Sequence, residues 1–204
     1  MRIVFFGSPN FALPSLLRCI NLDNAKVVAV VTQPDRRQGR KSHLQPTPVK
    51  SMAINYGITN IIQPYKITSD TIKDISQLNP DIGIVVASGH ILPKELLDIF
   101  PNDVINLHGS LLPKHRGASA IANAILSGDF ESGATIMKII QEVDAGPILG
   151  QVRTPILDTD TTNSLSEKIA DIGAELLIEI LPKWVAGKIE PEKQNDQLAT
   201  HTKK

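Results

Sequence analysis

Residues 1–32 read MRIVFFGSPNFALPSLLRCINLDNAKVVAVVT, and this stretch decides the fold. Ile3–Phe6 is a short apolar run closed by Gly7-Ser8-Pro9, which reads as a buried strand ending in a turn. Ala12–Asn21 places Leu13, Leu16, Leu17 and Ile20 at helical spacing. Val27–Thr32 is β-branched and returns as a second strand. Strand, helix and strand in succession open an α/β fold built on a mostly parallel sheet.

The alternation continues along the chain. Pro46–Tyr56 reads as a helix, Ile61–Gln63 as a short strand, Ser69–Gln77 as a helix and Ile82–Ala87 as a strand. Lys94–Ile99 is a short helix, Asp103–Leu107 a strand and Ala118–Leu126 a helix. Thr135–Ile140 and Pro147–Thr154 are strands, and Ser164–Ala186 is the longest helical pattern, with Gly173 inside it. Right-handed crossovers predict helices on both faces of the sheet, with ligands in the crevice at the carboxyl ends of the strands. Thr32 to about Pro48 reads as an irregular loop, of a length that is usually functional or disordered. The segment from Gly187 onward, which has no aromatic residue, reads as a linker or loose terminus.

Composition narrows the class. The 204 residues are 42% hydrophobic and 21% charged, with a mean hydropathy of -0.01, as in an ordinary globular chain. Lys and Arg number 21, as do Asp and Glu, so no global charge draws the chain to nucleic acid or an anionic membrane. One cysteine, Cys19, leaves no internal disulfide or cysteine-based zinc site and fits a reducing, cytoplasmic setting. The longest clean apolar runs, such as Val27–Val31, are about five residues, far short of a membrane span, and the first residues are too weakly apolar for a signal peptide. The first βα turn, Phe6-Gly7-Ser8-Pro9-Asn10, is not G-x-G-x-x-G, and there is no phosphate-cradling G-x-x-x-x-G-K-[ST] and no G-x-S-x-G elbow. The histidines at 43, 90, 108, 115 and 201 form no H-E-x-x-H pair. No metal and no nucleotide cofactor is expected.

The densest chemical signal is Asn106-Leu107-His108-Gly109-Ser110-Leu111-Leu112-Pro113-Lys114-His115-Arg116-Gly117, directly after an apolar strand. Residues i and i+2 of a strand share a face, so Asn106 and His108 project together at its carboxyl end. An amide beside an imidazole suits acyl transfer, because both can donate to a carbonyl oxygen that gains charge. The local pattern fits a strand end with a capped, solvated histidine equally well. Val143-Asp144-Ala145-Gly146-Pro147 reads as a turn in which Asp144 is a turn former; folded back on His108, its carboxylate could hold an imidazolium.

These two motifs resemble the folate-dependent formyltransferases. NLHGSLLPKHRG (106–117) and VDAGPIL (143–149) carry the resemblance, together with MRIVFFGSPNFALPSLL, AVVTQPDRRQGRK, PTPVK, ASGHILPKELLD and ATIMKI in the family's order. It covers residues 1–187 and is strongest to the members that act on methionyl-tRNA. It implies a Rossmann-like, doubly wound α/β fold, with 10-formyltetrahydrofolate as formyl donor and the α-amine of methionyl-initiator tRNA as acceptor. It places Asn106, His108 and Asp144 on the family's catalytic trio. Ser110, Leu111, Leu112 and Pro113 fall on a folate-binding segment; Ser88, Gly89, His90, Ile91, Leu92, Ile140 and Val143 fall on walls of the pterin pocket. In the implied reaction Asn106 and His108 steady the formyl oxygen, and Asp144 pairs with His108 and helps remove the amine proton. Ser88 and His90 depart from the Tyr and Gln common in the family.

Residues 32–50 carry Arg36, Arg37, Arg40, Lys41 and Lys50 against Asp35 alone, a local charge of +4. The plain reading is a solvated basic loop. The resemblance favours phosphate contact with the tRNA acceptor arm, to which Arg116 adds a cation. The tRNA-acting members continue into a basic β-barrel domain, so 1–187 is expected as the catalytic domain and 188–204 as a linker-like tail. A monomer with no membrane attachment is expected. The alternative acceptor is a small amine, such as an amino sugar on a nucleotide.

Overall fold

The computed structural model describes residues 1–38 and 43–202, in two compact units, Met1–Val104 and Ile105–Lys204. In the first unit, β1 (Arg2–Gly7) is followed by α1 (Leu13–Ile20), β2 (Lys26–Val31), the strand pair β3 (Arg36–Gln38) and β4 (His43–Gln45), and α2 (Pro48–Asn55). The short strand β5 (Ile61–Ile62), α3 (Ser69–Ser76), β6 (Ile82–Val86) and α4 (Lys94–Leu97) complete it. β5, β2, β1 and β6 lie side by side in that order, all parallel. β1 is paired on both edges, and Ile3, Val4, Phe5 and Phe6 are all fully buried; a strand covered on both faces is a continuous apolar run rather than an alternating one. Thr47 caps α2 by accepting from the Lys50 amide, with Pro48 at the first helical position. Cys19 lies wholly buried in α1, and that burial pushes its thiol pKa up to about 12.

The chain leaves β1 toward β2 on one side and returns to β6 on the other, a topological switch that opens a crevice at the strands' carboxyl ends. Polar side chains lace these ends together. Ser8 Oγ donates to the Ser88 carbonyl (3.3 Å) and accepts from the Gln33 amide (3.0 Å). The Gln63 side-chain amide donates to the Gln33 carbonyl (3.0 Å) and to Asp35 (2.7 Å). The expected irregular loop after β2 contains an antiparallel ribbon, with Arg36 opposite Gln45 and Arg37 opposite Leu44. Its charged and polar residues show no alternation from which a strand could be read.

The second unit opens on β7 (Val104–His108) and continues through α5 (Ala120–Leu126), β8 (Glu131–Lys138), β9 (Ile148–Pro155) and α6 (Thr162–Val185). Here the pairing is antiparallel: β7 with β8 and β8 with β9. The parallel arrangement read from the alternation thus describes the first unit. Between β8 and β9 lie only residues 139–147, too few for the helical crossover that parallel neighbours require. α6 packs on β7 and β8 through Gly173, where an added Cβ would sit 2.8 Å from Leu107 Cδ1 and 3.0 Å from Ala134 Cβ. Leu107 therefore faces α6, and Asn106 and His108 emerge on the opposite face of β7.

The linker-like tail expected from 188 onward is tied down along 192–202. Ile148 and Glu192 exchange both backbone hydrogen bonds (2.7 and 2.8 Å). The Arg116 amide donates to the Thr200 carbonyl (2.8 Å), and the Thr202 amide to the Arg116 carbonyl (2.7 Å). The anchors are backbone and polar side-chain groups, so no apolar pattern signalled them. Among the described residues no helix is long and apolar enough to cross a membrane.

Asp160, just before α6, anchors the start of that helix. Its carboxylate accepts from Lys168 Nζ (2.7 Å), the Leu157 amide (2.9 Å) and Ser164 Oγ (2.9 Å). Lys168 foremost, then the Leu157 amide, hold its pKa down to about 2. A carboxyl depressed in the folded state contributes stability above its unfolded pKa, about 4, and loses it as pH falls toward the folded value. Asp160→Asn is expected to lower Tm at pH 7, with the difference from wild type vanishing by about pH 2; thermal melts across pH 2–7 check this.

Candidate active site

The site in the second unit is built around His108, the last residue of β7. Its Nε2 lies 2.9 Å from the His115 carbonyl oxygen. A carbonyl can only accept, so Nε2 carries a hydrogen and donates. Nδ1 faces Asp144 Oδ2 at 3.6 Å, so a proton taken up there would meet a carboxylate. His108 is buried and Asp144 half-buried, which strengthens their mutual field relative to water. Two residues back, Asn106 is half-buried and its side-chain amide makes no hydrogen bond among the described residues. The structure thus brings Asn106, His108 and Asp144 into one unit but divides their donors. His108 Nε2 is committed to the His115 carbonyl, and the Asn106 side-chain amide is uncommitted among the described residues.

Asp144 sits in the turn between β8 and β9 with φ 50°, a left-handed conformation that aspartate tolerates better than most residues. Its Oδ2 accepts from the Gly117 amide (2.8 Å). Gly117 has φ 113°, and a Cβ on it would lie 2.7 Å from Thr202 Oγ1, so only glycine brings its N–H to this point. Gly146 is required for space: an added Cβ would stand 1.7 Å from the Lys138 carbonyl oxygen. Ile140 and Val143, in the same turn, are exposed, with Val143 69% accessible.

The loop after β7 is an internally satisfied scaffold. Ser110 is fully buried and its Oγ donates to the Lys114 carbonyl (2.6 Å). Leu112 is buried core, and the Leu112–Pro113 peptide is cis. Thr135 Oγ1 donates to the Ser110 carbonyl (2.6 Å) and accepts from the Leu112 amide (3.1 Å) and the Gln151 side chain (2.9 Å). Of the segment expected to bind folate, Leu111 and Pro113 are half-buried, whereas the Ser110 and Leu112 side chains serve the loop itself.

In the first unit, Ser88 follows Ala87 at φ 48° and precedes Gly89 at φ 75°. Its Oγ pairs with His90 Nδ1 (2.9 Å), and His90 Nε2 reaches the Pro64 carbonyl (3.0 Å), so His90 pins this loop to the end of β5. Ile91 is 91% exposed and Leu92 half-buried.

The basic residues divide. Arg36 and Arg37 are exposed and unpaired among the described residues. Arg40 and Lys41 lie outside the described residues. Lys50 pairs with Asp35 (2.7 Å), whose carboxyl is held below the usual range by Gln63 and then by Lys50. Arg116, expected as a tRNA contact, is only 2% exposed and binds Gln194 and Asp196 (2.7 Å). A phosphate could reach it only by breaking those bonds. Sequence reasoning missed Thr135, Gln151, Asp129 and Gln194. Asp129 is the partner of His115 Nε2 (2.7 Å) and steadies the residue whose carbonyl holds His108. No motif or periodicity marks these four.

A chain with this fold and an amide, imidazole and carboxylate so placed belongs to the formyl transferase family, whose pattern matches residues 1–181. It is 45% identical over 202 residues to the methionyl-tRNA formyltransferase of Geobacillus sp. (strain WCH70), covering 98% of this chain and 63% of that protein. The chain thus spans less than two thirds of the length of that relative. Solved structures of other formyltransferases share the fold. Glycinamide ribonucleotide transformylase 1 from Symbiobacterium toebii aligns with a TM-score of 0.78 at 20% identity, over 96% of this chain and 94% of that one. An N-formyltransferase from Helicobacter canadensis, in complex with folinic acid and dTDP-3-aminofucose, aligns at 0.74 and 22%, over 98% and 70%.

Thr135→Val keeps the side-chain shape and removes the hydroxyl that joins Ser110, Leu112 and Gln151. Leaving buried polar groups unpaired costs about 1–3 kcal/mol, so the variant is expected to lower the urea midpoint at unchanged m-value; equilibrium unfolding monitored by circular dichroism checks this.

Proposed function

We propose that this chain transfers the formyl group of 10-formyltetrahydrofolate to the α-amine of methionyl-initiator tRNA. The observation that carries the reading is the uncommitted Asn106 amide on the same strand face as His108, whose ring is held between the His115 carbonyl and Asp144. Identity of 45% to a methionyl-tRNA formyltransferase supports the acceptor, and folinic acid, a formylated folate, in a structural neighbour supports the donor.

The amine nitrogen attacks the formyl carbon, and charge gathers on the formyl oxygen. The Asn106 amide donates to that oxygen, a contact strongest in the transition state. The attacking nitrogen must lose a proton. His108 takes it at Nδ1, because Nε2 is already protonated and the carboxylate of Asp144 stabilises the resulting imidazolium. The bond from carbon to folate N10 then breaks as the His108 imidazolium gives the proton to N10, and formyl-methionyl-tRNA and tetrahydrofolate leave. The exposed Val143, in the same turn as Asp144, is an apolar wall candidate for the pterin. The exposed Arg36 and Arg37 are the phosphate contacts of this reading.

Asn106→Ala is expected to lower kcat about 10²–10³-fold with the KM for the folate little changed, and Asp144→Asn to cost a comparable loss with the fold retained. Steady-state formylation of charged initiator tRNA tests both, and wild-type turnover in either variant rejects that residue's role. Replacing Arg36 and Arg37 together by alanine should raise the KM for tRNA and flatten its salt dependence by up to about two units of log–log slope. Transfer to a small amine should be unaffected. Equal activity on tRNA before and after that change would favour the small-amine acceptor.

A further inference from the structure

Gln194 lies in the segment that reads as a tail, yet it is 95% buried, at 5% exposure, and makes four side-chain hydrogen bonds. Its Oε1 accepts from Arg116 Nε (3.1 Å) and Nη2 (2.9 Å). Its Nε2 donates to the carbonyls of Asp144 (2.9 Å) and Gly146 (2.7 Å). The orientation of the amide is unambiguous, since a guanidinium only donates and a carbonyl only accepts.

The two sides that Gln194 joins are the two sides of the candidate site. Segment 115–117 supplies the carbonyl that holds His108 and the Gly117 amide that holds Asp144 Oδ2. The turn 144–146 supplies Asp144 itself, at a left-handed φ and preceded by the exposed residues Gln141, Glu142 and Val143. A non-glycine residue in that conformation keeps it only where the surroundings fix it.

We propose that Gln194 is a positioning residue for Asp144, setting the carboxylate against His108 by gripping the Asp144 and Gly146 carbonyls from the buried Arg116. The proposal rests on the reading of Asn106, His108 and Asp144 as the reaction centre. Tethering the tail does not explain Gln194, because the tail has anchors of its own: the backbone pair of Ile148 and Glu192, and the bonds of Thr200 and Thr202 to 115–117. What those anchors do not supply is the grip on the Asp144 and Gly146 carbonyls, which Gln194 makes. It also explains the residue type, since the position needs an acceptor for a cation and two donors for carbonyls at once.

The test compares two variants in the 204-residue chain. Gln194→Glu keeps the acceptor for Arg116 and removes both donors to the turn. Asp196→Asn weakens the other partner of Arg116 and leaves the turn untouched. Amide exchange at Gly117, whose N–H ends on Asp144, reads the placement of the carboxylate directly. In Gln194→Glu this amide should exchange about tenfold faster, and kcat for formyl transfer should fall about 10–100-fold with the folate KM near wild type, as expected for a displaced catalytic group. Asp196→Asn should change neither. Unchanged Gly117 exchange or unchanged kcat in Gln194→Glu overturns the proposal, as does an equal loss in Asp196→Asn. A wild-type chain that transfers no formyl group to any amine refutes the proposed function; Gly117 exchange then decides alone whether Gln194 positions Asp144.

Discussion

The hydrogen bond from His108 Nε2 to the His115 carbonyl (2.9 Å) is the constraint on which the candidate site depends. Because the acceptor is a carbonyl, the bond fixes which nitrogen carries the hydrogen and turns Nδ1 toward Asp144. His115 can offer that carbonyl because its φ is 59° and its own ring is held by Asp129 at 2.7 Å. The next two residues continue the arrangement: Arg116 runs inward to Gln194, and Gly117 sends its amide to Asp144. Three consecutive residues thereby place the imidazole, the tail and the carboxylate, and Asn106 needs only the two-residue period of β7 to join them.

Much of the scaffold is legible in the sequence because it is made of contiguous apolar runs. Ile3–Phe6, Val27–Val31 and Ile82–Val86 are buried end to end and were readable as strands for that reason. The β3–β4 ribbon was not, since Arg36, Arg37, His43, Leu44 and Gln45 are exposed and the two strands pair with one another rather than with a core. Within the site, strand periodicity alone puts Asn106 beside His108. In the sequence Asp144 reads as a turn residue, and only the family resemblance implies a catalytic role for it. Gln194 and Thr135 were invisible to both approaches: their partners lie up to 78 residues away in sequence and are mostly backbone carbonyls and amides, which every residue has.

Charge shows the same divide between composition and placement. The stretch 32–50 counts as strongly basic, yet Lys50 is neutralised by Asp35 at the foot of the ribbon, and Arg116 is sealed among its own partners. A cation that is already hydrogen-bonded and buried adds little to the attraction of a distant phosphate, because moving it would expose the groups it satisfies. Exposed Arg36 and Arg37 are the described cations of that stretch with nothing to give up.

Cys19 carries a practical consequence. The chain's one thiol is wholly buried in α1 and its pKa is raised by that burial, so it offers little thiolate to maleimides and alkyl halides. A cysteine introduced at an exposed site such as Tyr65 or Phe130 becomes the single reactive position without deleting the native one. Fluorophores or spin labels can therefore be placed one at a time on otherwise unaltered protein.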